Sequence, residues 1–295
     1  MRILIFGVAG MFGHKLYQGL APEFNVFGTV RSTAERLRPY GIFDENSIIE
    51  SVDVADPEVV RKTIESVRPD CVINAIGIIK QVPISKDVIQ TLTVNSIFPH
   101  RLAELSDSHG FRLITISTDC VYAGTRGNYS ETDVPDARDL YGLSKFLGEV
   151  RSGNALTLRT SLIGRELGTS HSLVEWFLGN RGQHVKGYAT AIYSGFPTIV
   201  LAGVVRDLIK DHPGLHGLYH LSSEPITKFD LLTLFNEYYQ AGVEIEADSE
   251  FKIDRSLDSS AFRADAGFEP LPWEQMVRDM VTDPTPYNSW HTQSE

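Results

Sequence analysis

The strongest constraint on the fold is a set of three glycines, Gly7-x-x-Gly10-x-x-Gly13, directly after the short apolar run Arg2–Phe6. The run predicts a buried β-strand, and the segment after the glycines has the pattern of a helix. Glycine permits a tight turn and lets a ligand approach the backbone where a side chain would block it. The helix N-terminus adds unpaired amide groups and the positive end of the helix dipole. This arrangement predicts a dinucleotide phosphate site at Gly7, Gly10, Met11, Phe12 and Gly13.

Strands and helices continue to alternate through the first half of the chain. Apolar runs and turn residues predict strands over residues 2–6, 25–30, 48–52, 71–75 and 111–117, and helices over 14–20, 56–67, 88–109 and 140–149. Regular alternation is typical of a parallel sheet with helices on both faces. The sequence therefore predicts an α/β fold, a doubly wound parallel sheet of the Rossmann type.

The alternation becomes irregular after about residue 160, although helices are still predicted over 228–239 and 273–281. We therefore expect residues 1–160 to form a dinucleotide-binding domain and residues 161–295 to form a smaller C-terminal substrate-binding lobe, with some segments returning to the first domain. The cleft between the two is the expected ligand site.

The composition excludes several classes of function. The 295 residues include 27 Lys and Arg against 38 Asp and Glu, a formal net charge of −11, so no nucleic-acid or membrane partner is expected. The two cysteines, Cys71 and Cys120, lie in apolar runs and predict neither a disulfide framework nor a metal site. No apolar stretch reaches the roughly 18 residues of a membrane span, and the glycine-rich N-terminus has no signal cleavage site. We expect a cytoplasmic protein, a monomer or a homodimer.

The end of the second predicted strand bears on the choice of cofactor. An acidic residue there accepts hydrogen bonds from an adenosine ribose, whereas a basic residue meets a 2′-phosphate. The strand runs into Arg31, and the nearest acid, Glu35, comes later. We therefore expect NADPH, with NADH as the alternative. Further cofactor contacts are expected where the third and fourth strands end, at Asp53, Val54, Ala75 and Gly77.

A tyrosine and a lysine four residues apart predict an acid–base pair. Tyr141 and Lys145 lie on one face of a predicted helix. A free tyrosine has a pKa of about 10, and a cation one turn away is expected to lower that pKa towards neutrality. The segment Ser117-Thr118-Asp119, at the end of a predicted strand, can add a hydroxyl to the same cleft. We expect Tyr141 and Lys145 to be catalytic, with a hydroxyl of this segment beside them.

Together with other segments, these motifs resemble the extended short-chain dehydrogenases/reductases, most closely the dTDP-4-dehydrorhamnose reductase branch. The segments extend over nearly the whole chain and are PDCVINA at 69–75, Val94-Asn95, STDCVY at 117–122, Arg159-Thr160-Ser161, GFPT at 195–198 and GLYHLS at 217–222. The resemblance implies Tyr141 as the proton donor to a ketone oxygen, Thr118 as the hydroxyl that orients it, and Lys145 as a ligand of the nicotinamide ribose. It implies NAD(P)H-dependent reduction of the 4-keto group of a nucleoside-diphosphate 4-keto-6-deoxyhexose, in polysaccharide precursor synthesis.

Departures from the branch affect the expected substrate site. Leu162-Ile163 stand where the branch usually carries an aromatic pair, and Lys80 stands in a segment that tends to read Ala-Tyr-Thr. Lys80 is either a cation near the cleft or a solvated residue, and with Asp119 and Arg255 it makes up the predicted substrate site. The other cations open to a diphosphate, most of them expected to be solvated, are Arg159, Arg165, Arg181, Lys186 and Arg263.

Two alternative functions stay open. The related GDP-fucose synthases pair a cysteine two residues after the catalytic hydroxyl with a histidine, and Cys120 and His171 stand in corresponding places. A thiol and an imidazole suit proton transfer beside a ketone, which implies a bifunctional 3,5-epimerase and 4-reductase. Otherwise, Cys120 is a core residue and His171 caps a helix. The branch also resembles the non-catalytic, dinucleotide-binding regulatory subunit of methionine adenosyltransferase, but a regulator needs none of the catalytic residues.

Overall fold

A central sheet of seven parallel strands dominates the computed structural model, which describes residues 1–291. The strands are β1 (Arg2–Phe6), β2 (Asn25–Thr29), β3 (Ile48–Ile49), β4 (Cys71–Asn74), β5 (Arg112–Thr118), β6 (Ala155–Thr160), β7 (Leu162–Ile163), β8 (His184–Tyr188), β9 (Ala191–Tyr193), β10 (Phe196–Pro197), β11 (Gly217–His220), β12 (Ile226–Thr227), β13 (Glu244–Asp248) and β14 (Ile253–Asp254). The α-helices are α1 (Gly13–Leu20), α2 (Pro57–Val67), α3 (Val88–Leu92), α4 (Phe98–His109), α5 (Leu140–Leu147), α6 (Leu173–Gly179), α7 (Thr198–Asp211), α8 (Lys228–Tyr239), α9 (Ser260–Ala266), α10 (Trp273–Val281) and α11 (Tyr287–His291).

The strand order of the central sheet determines where a ligand crevice is expected. The order is β11-β6-β5-β4-β1-β2-β3, so the chain runs outward from β1 to β3 and then returns to β4 on the other side of β1. In open parallel sheets, ligands bind beyond the carboxyl ends of the strands at this reversal. The Rossmann-type α/β prediction is confirmed, and the glycine turn lies directly after β1, beside the reversal.

The two faces of the sheet bury separate cores. Along β1, Ile3 and Ile5 face one core, and Leu4 and Phe6 face the other; all four have no exposed surface. Helices α1 and α7 contribute to the first core, and α2 and α4 contribute to the second. Because both faces are covered, β1 is a continuous apolar run from Ile3 to Phe6 rather than an alternating one.

The second half of the chain forms short strands in three small sheets within the described residues. Their orders are β10-β7, β12-β9-β14 and β13-β8. β11 instead pairs with β6 in the central sheet, and α7 packs against α1. The strands of the three small sheets have two to five residues, which explains why periodicity weakens after residue 160.

Two predicted elements are shorter or interrupted. The predicted helix over 88–109 is broken by a π-helical turn, Thr93–Ile97, because Pro99 follows it and lacks the amide that a continuous α-helix would use. The predicted strand over 48–52 ends at Ile49, because Ser51 has a φ of 58° and leaves the extended conformation. None of the helices in residues 1–291 is long and apolar enough to cross a membrane.

Candidate active site

The glycine turn is packed so closely that side chains would not fit at two of its positions. Gly7 has a φ of 87°, and a Cβ there would lie 2.6 Å from Cγ1 of Ile76. A Cβ at Gly13 would lie 2.9 Å from Cα of Val8. Gly10 is exposed instead, Met11 is partly buried, and Phe12 is buried. This tight cradle at the start of α1 fits a dinucleotide pyrophosphate.

The ends of β4 and β5 join the glycine turn to the predicted catalytic residues. A Cβ at Gly7 would lie 3.4 Å from the carbonyl of Ala75, and one at Gly77 would lie 4.0 Å from Nζ of Lys145. Nζ of Lys145 donates a hydrogen bond to the carbonyl of Ile116, at 2.7 Å. The structure therefore brings Gly7, Ala75, Gly77 and Lys145 together.

The remaining predicted cofactor residues lie at strand ends on the other side of β1. Arg31 is exposed two residues after β2, Asp53 is exposed, and Val54 is buried. Oδ1 of Asp53 accepts a hydrogen bond from the amide of Ala55, at 3.0 Å, so this carboxylate also stabilises a turn.

The start of α5 places Tyr141 against Thr118. Asp139 caps the helix, since its Oδ1 accepts a hydrogen bond from the amide of Gly142 at 3.0 Å. A Cβ at Gly142 would collide with the carbonyl of Cys120, so glycine lets α5 pack directly on this backbone. The side chain of Thr118 lies near the Tyr141 hydroxyl and influences its pKa, and its own hydroxyl donates a hydrogen bond to Oδ1 of Asp119, at 3.1 Å. Thr118 Oγ1 also accepts a hydrogen bond from the amide of Cys120, at 3.1 Å.

The pKa of Tyr141 moves in the direction opposite to the one expected from sequence. Burial, reinforced by the nearby Cys120, raises the Tyr141 pKa above its usual value, and the neighbouring Thr118 hydroxyl only partly offsets this. Burial also lowers the pKa of Lys145 to about 8, opposed by the charge of Glu149. Tyr141 therefore holds its proton at neutral pH, as a proton donor must.

The three predicted substrate residues converge beside Tyr141. Nζ of Lys80 lies 3.0 Å from Oδ2 of Asp139 and 5.5 Å from the centre of the Tyr141 ring. Arg255 donates from Nη1 to Sγ of Cys120, at 3.8 Å. Asp119 is buried, which raises its pKa, although the charge of Arg255 opposes the rise. Lys80 is thus near the cleft, although its side chain remains 41% exposed.

A cavity of about 340 Å³ opens next to these residues. Its charged lining consists of one carboxylate and three cations, which are Asp119, Lys186, Lys228 and Arg255. The cavity is therefore locally cationic in a chain whose formal net charge is −11. Its mouth carries three aromatic side chains that are 42 to 48% exposed, Trp176, Tyr188 and Phe251.

Lys228 is a site residue that the sequence analysis did not identify. Its ammonium lies 4.1 Å from the centre of the Tyr193 ring and interacts electrostatically with Asp119 and Cys120. Burial lowers the pKa of Lys228 to about 8. One signal was present in the sequence: Lys228 directly follows the helix cap Thr227, where a cation opposes the helix dipole. The aromatic residues of the mouth are far apart in sequence and carry no such signal.

Of the two residues predicted for epimerisation, Cys120 and His171, only Cys120 is among the described residues that line the cavity. Cys120 lines the cavity, and burial raises the pKa of its thiol to about 11. His171 is exposed and is not among the described residues that line the cavity. The cap of α6 is Ser172, whose Oγ accepts a hydrogen bond from the amide of Glu175, so the expectation that His171 caps the helix is wrong.

Two arginines expected to be solvated are buried. Arg159 has no exposed surface and pairs with Glu149, with Nε 2.6 Å from Oε1. Arg165 pairs with Glu175, also at 2.6 Å. Both therefore stabilise the fold. Within residues 1–291, no group of three or more His, Cys, Asp or Glu side chains is arranged to hold a metal ion.

Comparison with known proteins gives a consistent family. The family model described as RmlD substrate binding domain matches residues 1–285. A dTDP-4-dehydrorhamnose reductase of Aggregatibacter actinomycetemcomitans is 27% identical over 203 residues, which are 61% of this chain and 69% of the relative. Methionine adenosyltransferase 2 subunit beta of Mus musculus is 26% identical over 242 residues, which are 78% of this chain and 70% of that protein.

Solved structures show the same fold. The dTDP-4-dehydrorhamnose reductase from Bacillus anthracis, in complex with NADP, superposes with a TM-score of 0.78 at 22% identity and covers 95% of this chain and 98% of its own. The Bordetella bronchiseptica enzyme WbmG, in complex with NAD and UDP, gives a TM-score of 0.76 at 17% identity, with 99% and 95% covered.

Proposed function

Because the chain belongs to the RmlD substrate binding domain family, we propose that it is a sugar-nucleotide reductase that uses NADPH. Its substrate is a nucleoside diphosphate carrying a 4-keto-6-deoxyhexose, and its product serves polysaccharide precursor synthesis. The observation that carries the proposal is the placement of Tyr141 beside Thr118, with Nζ of Lys145 next to Gly77, whose neighbour Ala75 lies against Gly7 of the glycine turn. The relative named dTDP-4-dehydrorhamnose reductase and the related structure with bound NADP support it.

The reduction of a ketone needs one hydride and one proton. A bound reduced nicotinamide supplies the hydride to the carbonyl carbon. Tyr141 donates its proton to the carbonyl oxygen as negative charge develops there, and Thr118 orients the Tyr141 hydroxyl. Lys145, held by the carbonyl of Ile116, binds the nicotinamide ribose as the family implies. The hydride and the proton from Tyr141 together convert the ketone to an alcohol.

The cavity supports a nucleotide-sugar substrate. Lys186, Lys228 and Arg255 supply the positive charge that a diphosphate requires. The aromatic side chains at the mouth, Trp176 and Phe251 among them, present flat apolar surfaces for a base or a sugar ring. They offer an aromatic contact in place of the pair that is missing at Leu162-Ile163.

The two alternative functions have less support. A regulatory subunit needs no proton donor, yet Tyr141, Thr118 and Lys145 are all present, with Tyr141 beside Thr118 and Lys145 next to Gly77. An epimerase needs an acid and a base on opposite faces of the sugar. Cys120 lines the cavity but is a neutral thiol, and His171 lies outside the lining.

The experiment that tests the proposal is a panel of enzymatically prepared dTDP-, UDP- and GDP-4-keto-6-deoxy sugars, assayed by loss of reduced-nicotinamide absorbance. The reactions are run in deuterated water, and the products are analysed by mass. Turnover of one sugar without ring deuterium is expected. Deuterium at C3 or C5 would establish epimerisation, and dinucleotide binding without any turnover would favour the regulatory alternative.

Replacing Arg31 tests the cofactor preference. Arg31→Ala should weaken NADPH binding at least tenfold while changing NADH affinity little, because the guanidinium would pair with the 2′-phosphate. Dissociation constants follow from quenching of intrinsic fluorescence. Arg36→Ala, at an exposed arginine five residues later, is the matched control. An equal loss of both cofactors would exclude contact between Arg31 and the 2′-phosphate.

The charge of Lys228 predicts a pH dependence of substrate binding. Because its lowered pKa is about 8, the ammonium is charged below that pH and loses its charge above it. The affinity for dTDP-glucose, a non-reducible probe, should therefore fall up to about tenfold between pH 7 and pH 9. Lys228→Arg should bind with little pH dependence over this range, because arginine stays protonated. The same pH dependence in Lys228→Arg as in the wild type would assign it to another group.

A further inference from the structure

The C-terminal segment, residues 283–290, packs against the helix that follows the glycine turn. Nζ of Lys15 on α1 lies 2.7 Å from Oδ2 of Asp283, and both side chains are only 6% exposed. Gln18, one turn further along α1, donates to Oγ1 of Thr285, at 3.0 Å. A buried ion pair next to a hydrogen bond fixes this segment to α1.

His14 connects the segment to the glycine turn itself. The His14 ring has no exposed surface; its Nδ1 lies 2.9 Å from the carbonyl oxygen of Gly10, and its Nε2 lies 2.6 Å from the hydroxyl of Tyr287. A carbonyl only accepts hydrogen bonds, so Nδ1 carries the proton. Burial lowers the pKa of His14 to about 4, so the ring is neutral at physiological pH and Nε2 is an acceptor. The Tyr287 hydroxyl therefore donates to Nε2.

The bond to Gly10 also fixes an amide group that can contact a ligand. The carbonyl of Gly10 and the amide of Met11 belong to one planar trans peptide and point in opposite directions. The carbonyl oxygen of Gly10 accepts two hydrogen bonds from His14, one from its backbone amide at 3.1 Å and one from Nδ1–H of its ring. The amide of Met11 consequently points away from the body of α1, among the unpaired amides that bind phosphate at a helix N-terminus.

Packing holds the Tyr287 ring in place. The ring is 3% exposed, the guanidinium of Arg165 lies 5.0 Å from its centre, and the ring of Trp290 lies 5.6 Å away. Trp290 in turn contacts Tyr40, with ring centres 4.9 Å apart. These packing contacts hold the Tyr287 ring so that its hydroxyl points at His14.

We propose that Tyr287 and His14 are positioning residues of the dinucleotide site, which hold the Gly10–Met11 peptide in the orientation that binds the cofactor pyrophosphate. This inference rests on the proposed function only in taking the glycine turn as the dinucleotide site. The C-terminal segment, far from the turn in sequence, would thus affect cofactor affinity through His14.

Tyr287→Phe tests the proposal, since it keeps the ring and removes only the hydroxyl. The dissociation constant of NADPH should rise roughly threefold to tenfold, as the loss of a single hydrogen bond implies. The matched control is Tyr17→Phe on α1, whose hydroxyl is hydrogen-bonded to Ser47 and Asp44 and not to the turn. Tyr17→Phe should lower the melting temperature of the unliganded protein at least as much, yet leave the NADPH dissociation constant within about twofold.

Substitution of His14 separates positioning from a general loss of stability. His14→Asn retains a side-chain N–H near the place of Nδ1 and should retain more of the NADPH affinity than His14→Leu, which has no donor. Equal NADPH affinity in Tyr287→Phe and Tyr17→Phe, or in the two His14 variants, would overturn the inference and leave the proposed function intact. Failure of the wild-type protein to bind NADPH or NADH would overturn both.

Discussion

Tyr141→Phe should lower turnover about a hundredfold to ten-thousandfold, the range that a positioned general acid contributes. Phenylalanine keeps the ring, which packs beside Lys80, and removes only the hydroxyl that lies near Thr118. The binding of NADPH should be largely unchanged. Single-turnover oxidation of NADPH with the sugar identified in the panel measures the effect on the chemical step.

The matched control for this variant is Tyr219→Phe. The hydroxyl of Tyr219 donates to Asp265, at 2.7 Å, and Tyr219 lies on β11 at the edge of the central sheet. This variant should turn over at close to the wild-type rate. Near-normal turnover of Tyr141→Phe would remove Tyr141 from the role of proton donor, whereas a parallel loss of NADPH affinity would indicate a binding role.

Glu149→Ala should destabilise the protein by about 3–5 kcal/mol, because it leaves the guanidinium of Arg159 buried without its carboxylate. Glu149 receives hydrogen bonds from Arg159 Nε at 2.6 Å, from Nη2 at 2.7 Å, and from Ser117 at 2.8 Å. Arg159 has no exposed surface through which water could replace these bonds. Urea unfolding measures the change in the free energy of unfolding.

An exposed ion pair provides the comparison. Glu65→Ala removes a partner of Arg61 on the outer face of α2, where both side chains are at least 40% exposed. Such pairs contribute about 1 kcal/mol at most. If Glu149→Ala lowered the free energy of unfolding no more than Glu65→Ala, the remaining contacts of Arg159 with Tyr122 and His220 would be sufficient to satisfy the guanidinium.

Elements marked by local chemistry could be predicted closely. The helix predicted over 56–67 matches α2, which Asp56 caps through hydrogen bonds that its carboxylate accepts from the amides of Glu58 and Val59. The helix predicted over 88–109 differs both for a local reason, the missing amide of Pro99, and for a long-range one. The π-helical turn Thr93–Ile97 carries Asn95, whose side chain hydrogen-bonds to both Ile78 and Ser144. No periodicity within residues 88–109 contains that information.

Some residues of the candidate site could be identified from the sequence, and others could not. The residues within one motif, such as Tyr141 and Lys145, were identifiable because a fixed spacing on a helix places them one turn apart. Lys228, Trp176 and Phe251 were not, because they reach the cavity from different elements. The same applies to Arg159, which lies in a recognisable motif and yet has a structural partner, Glu149, as its main contact.

The sequence alone determined the order of strands and helices in the first half of the chain, the glycine cradle after β1 and the spacing of Tyr141 and Lys145. These features depend on backbone conformation and on neighbours within about one helical turn. Tertiary structure alone decided the cationic lining of the cavity, the raised pKa of Tyr141 and the link from Tyr287 through His14 to Gly10. Burial and contacts between distant residues produce these properties, and both exist only once the whole chain has packed.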